Sequence, residues 1–239
     1  SIWHHAPLRR ISFLTKNDLT KPQQIIPFPK INNIDCQLFF GEYIIDNQEV
    51  ELILFNSNYK NGLTKSVVIN ISVGIQISKI FNIKDLKGSY IIVKPKINNG
   101  QNLIDYGYVN IQYIVDNTRC DGVHSQPFTS EANSQGLKFM HYKIDKFCNS
   151  YIYVSGLINS ILEFRVRIID SKNKYEKCFN LKIEKNDNNL LKNLKDFGIN
   201  NSSGIVQIEC DLYNPNASLY IHNLIDGKSF LSACHLTGG

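Results

Sequence analysis

The segment Ser66–Ser78 constrains the fold more than any other part of the chain. Val67, Ile69, Ile71, Val73, Ile75 and Ile77 alternate with Val68, Asn70, Ser72, Gly74, Gln76 and Ser78. A period of two puts alternate side chains on opposite faces of extended backbone, whereas a helix would spread them around its circumference. The alternation predicts one long strand, with an apolar face on a core and a mostly polar face outward. Asn70, which opens an Asn-X-Ser sequon, falls on the polar face.

Shorter segments obey the same rule. Val50–Phe55, Tyr90–Val93 and Tyr108–Val115 are apolar runs that suit the core strands of a sandwich. Leu162, Phe164, Val166 and Ile168 alternate with Glu163, Arg165 and Arg167, and Phe179, Leu181 and Ile183 with Asn180, Lys182 and Glu184. Val206, Ile208, Cys210 and Leu212 share a face, and Leu219 and Ile221 continue the pattern. Asn61-Gly62, Asn98-Asn99-Gly100, Asp121-Gly122 and Asp226-Gly227 punctuate these runs as turns. With 33 Ile against 4 Ala, composition favours pleated surface over helix. The one credible helix is Asn188–Phe197, with Leu190, Leu191 and Leu194 on one side and Gly198 as a stop.

Short strands separated by turn residues read as β-sandwiches, not as a parallel α/β sheet. The 239 residues suffice for one large domain or two small ones. The polar, strand-poor stretch Gln126–Gly136 marks the junction. The expectation is an all-β chain of two tandem β-sandwiches, residues 31–136 and 137–239, behind an extended lead-in, residues 1–30. Lys21-Pro22, Ile26-Pro27 and Phe28-Pro29 make that lead-in hostile to helix.

Six cysteines stand at Cys36, Cys120, Cys148, Cys178, Cys210 and Cys234, with no C-x-x-C. An even count in a β-rich chain without catalytic motifs points to an oxidising compartment and a disulfide-stabilised fold. The simplest pairing within each domain is Cys36–Cys120, Cys148–Cys178 and Cys210–Cys234. Sequence does not fix connectivity, and a surface thiol left over would be available for an intermolecular bond. Sequons at Asn70, Asn201 and Asn216 suit a secretory route. No apolar run approaches the about 18–20 residues of a spanning helix, and no signal pattern stands at Ser1, so the chain reads as a trimmed ectodomain.

Tandem β-sandwiches, the Asn- and Ile-rich usage of an AT-rich genome, and a few long-range cysteines resemble the six-cysteine surface proteins of malaria parasites. The resemblance implies mixed parallel and antiparallel strands and cysteines paired first–second, third–sixth and fourth–fifth. Cys148 and Cys178 stand where the first and second would be in the second domain, and Cys210 and Cys234 would be one of the remaining pairs. The departures are a first domain with two cysteines, a second with four, and no Cys-X-Cys. For a two-domain, cysteine-depleted member, the resemblance implies a secreted merozoite-surface or apical-organelle protein in an erythrocyte-invasion complex. Such a member is held at the membrane through a disulfide-linked partner, a thrombospondin-related apical merozoite protein.

The search for chemistry is brief. There is no G-x-S-x-G, H-E-x-x-H, G-x-x-x-x-G-K-[ST] or G-x-G-x-x-G. His4-His5 is an adjacent pair in the lead-in, and His124, His141, His222 and His235 are isolated. Asp121 and His124 beside Cys120 are the nearest thing to a metal or acid/base site, and ordinary structural roles explain them better. Trp3 reads as a strap residue or an interface anchor, and Leu38, Phe39 and Phe40 as buried strand. The net charge of +5 is scattered among acids, unlike the basic stripe of a nucleic-acid binder. The expectation is a non-enzymatic protein-interaction module with no cofactor, no metal and no nucleic-acid partner. The competing classes are a carbohydrate-binding sandwich and a viral coat or spike jelly roll.

Overall fold

The computed structural model describes residues 13–14, 24–40, 49–69, 73–95, 103–104, 109–124, 126–127, 136–155, 162–184, 189–210, 216–225, 228–235 and 237–238. Most of them are in strands, and the chain is all-β. Its internal contacts gather into two units, Ser1–Pro127 and Phe128–Gly239; the sequence placed the junction at 136, where the first long strand of the second unit begins.

The first unit holds β1 (Phe13–Leu14), β2 (Gln24–Pro27), β3 (Ile34–Phe39), β4 (Glu49–Phe55), β5 (Leu63–Val68), β6 (Ile75–Gln76), a single-turn helix α1 (Ile83–Leu86), β7 (Tyr90–Pro95), β8 (Leu103–Ile104), β9 (Asn110–Val115), β10 (Thr118–His124) and β11 (Gln126–Pro127). They form sheets of order β11-β2-β7-β4-β5 and β10-β9-β3-β6, with β1 and β8 a separate pair. The end of the lead-in is thus a strand inside a sheet, with Ile25, Ile26 and Phe28 buried. Period-two burial follows the sequence pattern: Val50, Leu52 and Leu54 of β4 and Ile111, Tyr113 and Val115 of β9 are buried. Tyr113 joins the two larger sheets. Its ring meets Phe28 edge-on at 6.2 Å, and its hydroxyl donates to the Pro27 carbonyl at 2.6 Å.

Two expectations need correction in this unit. The alternation over Ser66–Ser78 does not make one strand: β5 ends at Val68, and β6 resumes at Ile75 in the other sheet. Gly74, at φ +72°, turns the chain, and a Cβ there would lie 2.6 Å from the Leu38 carbonyl. Ile69, Ile75 and Ile77 are buried, while Val73 is 60% exposed. A perfect alternation fixes faces but not length, because one left-handed residue can hand the pattern from one sheet to another. Asp121-Gly122 is likewise not a turn but the site of a register shift within the β9–β10 ladder. The hairpin turns instead at Asp116-Asn117, both at positive φ (48° and 62°), the backbone of the two-residue turns that match strand twist. The Asn61-Gly62 turn stands as expected, with Gly62 at φ +83°.

The second unit holds β12 (Gly136–Ile144), β13 (Cys148–Ser155), β14 (Leu162–Asp170), β15 (Tyr175–Ile183), β16 (Asn189–Asn193), β17 (Ser202–Cys210), β18 (Asn216–Ile225), β19 (Lys228–His235) and β20 (Thr237–Gly238). The sheets run β15-β14-β17-β12-β20 and β16-β13-β18-β19. One core joins them: Tyr142, Phe164, Val166, Ile168, Val206 and Ile208 from the first sheet meet Ile152 and Val154 from the second, closed by Leu194 and Ile199. Each such side chain, fully buried, stabilises by about 1.5–3 kcal/mol before entropy is counted. The helix expected over Asn188–Phe197 is half strand. Residues Asn189–Asn193 form β16 against β13, and only Leu194–Phe197 makes a 3-10 turn, ended by Gly198 at φ +70°. Pairing to β13 supplies hydrogen bonds that a short isolated helix could not match.

Every pairing among the described strands is antiparallel; the parallel pairs that the resemblance implies are not among them.

Two of the three expected cysteine pairings are not formed in this structure. Cys36 is a buried free thiol whose neighbour across the ladder is Tyr113. Cys120 lies on the far side of β9, in the register shift opposite the same tyrosine, and its sulfur contacts the Thr118 carbonyl at 3.5 Å. Alternate strands of a sheet lie about 9–10 Å apart, beyond the roughly 7 Å Cα limit for a disulfide. Cys148, on β13, is buried and free, whereas Cys178, on β15 of the other sheet, is exposed and free. Their side chains point to different environments, core and solvent, so no bond joins them. The side chains of Cys210 and Cys234, and with them the third pairing, lie outside the described part.

Candidate functional site

The even-numbered residues of β15 form its polar face, and Cys178 is one of them. The structure confirms that face as solvent-exposed: burial alternates along Tyr175–Ile183, with the even positions out. Register then aligns four strands across the outer surface of the sheet. Cys178 stands opposite Arg167, Arg167 opposite Gln207, and Gln207 opposite Phe139. One step along lie Asn180, Arg165 and Glu209 in a second row.

Arg165, Arg167, Glu176, Cys178 and Glu209 form one polar lattice on this surface. Arg165 donates from Nη2 to the Cys178 sulfur at 3.3 Å and approaches Glu209 at 3.9 Å. Cys178 reaches Glu176 Oε1 at 3.6 Å. Arg167 donates from Nη2 to Glu176 Oε2 at 2.7 Å; its Nε lies 2.7 Å from Oε1 as an ion pair, off the hydrogen-bond direction. The contact with Cys178, then the charge of Glu209, raises the Arg165 pKa. The hydrogen bond from Arg167 lowers that of Glu176. Both groups are exposed, so such pairs add little stability; what they do is fix the surroundings of the thiol. Beside them a shallow groove of about 480 Å³ is lined by Glu163, Arg165, Asn180, Lys182 and Glu209. Its one aromatic, Phe164, is buried in the core and offers no ring face to a sugar.

The hairpin that carries Cys178 is held from beneath. Asp170, buried at the end of β14, accepts from the backbone of Lys172 and Asn173 and from Asn173 Nδ2 at 2.8–2.9 Å. Burial alone would raise its pKa. Hydrogen bonds from Ser202, from the Asn173 backbone and side chain and from Tyr175 outweigh burial and hold it at about 2. Ser202 in turn bonds Tyr142 at 2.5 Å. Gly204 lets β17 close on this corner: a Cβ there would sit 1.9 Å from the Ile169 carbonyl. Neither Asp170 nor Gly204 stands out in the sequence, apart from a glycine inside an otherwise alternating strand.

The remaining cysteines differ from Cys178. Burial, then the adjacent Asp35 charge, pushes the Cys36 thiol well up, and burial raises that of Cys148; both are poor nucleophiles as placed. Asn201 lies exposed on a turn at φ +45°, its side-chain oxygen accepting from Lys172 Nζ at 2.6 Å. Asn70, Trp3, His4 and His5 lie outside the described residues, as do the side chains of Asn216, Asp121, His124, His222 and His235. His141 is exposed on β12. Among the described residues no three His, Cys, Asp or Glu side chains gather as a metal site, and no helix is long and apolar enough to cross a membrane.

Fold and site together define an all-β chain of two units that presents an accessible thiol within a charged sheet surface. No protein-family model matches the chain, and no curated protein aligns with it.

Proposed function

We propose that this chain is a non-enzymatic, secreted or surface-displayed protein-interaction module that engages an extracellular partner through the outer face of β14 and β15, with Cys178 available for a covalent link. The exposed Cys178, which is in no disulfide, carries this reading: a thiol at the solvent face of a strand, touched by a guanidinium, is where thiol–disulfide exchange can occur. The two-domain six-cysteine resemblance supplies the setting, an erythrocyte-invasion complex with a thrombospondin-related apical merozoite protein as the membrane-anchored partner. Glycosylation at Asn70, Asn201 and Asn216 and two tandem sandwiches with some parallel strands belong to the same proposal. Non-reducing electrophoresis of native material tests it. A high-mass species that collapses under reductant and is absent from Cys178→Ser material is expected; a linkage that survives Cys178→Ser removes Cys178 from the reading. The carbohydrate-binding alternative would use the groove beside Glu163 and Glu209, and a glycan array reports on it directly.

A further inference from the structure

β15 is the longest of the described edge strands. Among the described strands it pairs with β14 alone; it runs nine residues without Gly or Pro and keeps its register with β14 unbroken from Tyr175 to Ile183. Such an edge presents unpaired backbone donors and acceptors and is a template for another strand unless something blunts it. The usual guards are prolines, bulges and charged side chains, lysine above all, which act most strongly where they point inward. Only Lys177 has the inward position, and its charge is drawn aside: Nζ lies 3.4 Å from the Gly198 carbonyl and 5.4 Å from the centre of the Tyr175 ring.

The sequence of this edge is complementary to itself. In an antiparallel pair about a twofold axis at Phe179, Glu176 faces Lys182 of the second copy and Cys178 faces Asn180. On the inner face Tyr175 meets Ile183 and Phe179 meets its own equivalent. Just beyond the strand Lys174 comes opposite Glu184. The two facing charge pairs, Glu176 with Lys182 and Lys174 with Glu184, are both of opposite sign and each occurs twice; Lys177 comes opposite Leu181, with its ammonium drawn off to the Gly198 carbonyl. Neighbouring registers fail: an axis at Cys178 sets Lys174 against Lys182, and one at Asn180 sets Glu176 against Glu184. Odd registers would turn the polar face of one strand onto the apolar face of the other.

We propose that β15 is a self-association edge, through which two copies of this chain join antiparallel about Phe179 into one continuous ten-strand sheet. The count is twice the five strands of β15-β14-β17-β12-β20. A single strand pair buries less than a permanent interface needs, so the dimer is concentration-dependent. Cys178 stays on the solvent side, offset by two residues from its equivalent, so the association is non-covalent and independent of the reading above.

Sedimentation velocity on the full chain in excess reductant tests it, because reductant removes any link through Cys178. A monomer–dimer equilibrium is expected. Lys182→Glu and Glu176→Lys should each weaken it by about tenfold or more, since like charges then face each other at two positions. An equimolar mixture of the two variants should regain wild-type association, because each unlike pair is restored across the mixed dimer. Hydrogen exchange provides a reading without substitutions: β15 amides should gain protection as concentration rises. A monomer at every concentration, a dimer indifferent to both charge reversals, or variants that fail to complement overturns the proposal.

Discussion

At the scale of single residues, Asp170 shows what a buried charge requires. Its carboxylate is enclosed yet ionised because Ser202, Asn173 and Tyr175 all donate to it. The folded-state pKa of about 2 lies below the ordinary 3.8. The stabilisation is therefore fully present above the ordinary value and is lost as the pH falls through 2. Asp170→Asn should cost roughly 2–4 kcal/mol at neutral pH and flatten the acid limb of the stability curve, both read by denaturant titration at a series of pH values. A variant as stable as the wild type with the same acid limb would show that the network carries no such weight. The thiols give a second residue-scale prediction. In the native protein a maleimide should modify Cys178 at once and reach Cys36 and Cys148 only after denaturant opens the cores, as peptide mapping by mass spectrometry would report. Equal labelling of the three would contradict their placement.

At the scale of elements, close approach and cross-sheet bonds decide what the strands can do. Gly204 of β17 lies opposite Asp170 at the end of the β14–β17 ladder, and the Ile169 carbonyl leaves no room for a methyl group. Gly204→Ala should cost roughly 2–4 kcal/mol, because backbone on both sides must move; a melting temperature within a degree or so of wild type would refute the crowding. In the first unit, Tyr113 of β9 reaches the Pro27 carbonyl at the end of β2. Tyr113→Phe keeps the ring against Phe28 and removes that bond, so a loss of about 1–2 kcal/mol is expected in a denaturant titration. Much of this level was legible beforehand. The apolar run at 50–55 and the alternations at 162–168 and 179–183 became β4, β14 and β15, and the side of Asn180 and Lys182 proved to be the exposed one. What misled was length and handover: the Ser66–Ser78 pattern was split by Gly74, and the leucines of 188–197 served a strand before a 3-10 turn.

At the scale of the whole molecule, each unit owns its sheets. A lesion such as Gly204→Ala should therefore raise amide exchange in β12, β14 and β17 while β4, β7 and β9 keep their protection; a uniform rise across the chain would mean that the units unfold as one. The sequence by itself determined the all-β class, the strand faces and the turn at Gly62, because side-chain alternation and backbone sterics act between near neighbours and leave their mark locally. Only the tertiary structure decided which strands lie side by side. That ordering put Tyr113 between Cys36 and Cys120, sent Cys148 to a core and Cys178 to solvent, and left β15 at an edge. Strand order joins residues far apart in the chain through backbone hydrogen bonds that are alike for every side chain, and so no local pattern of residues can spell it out.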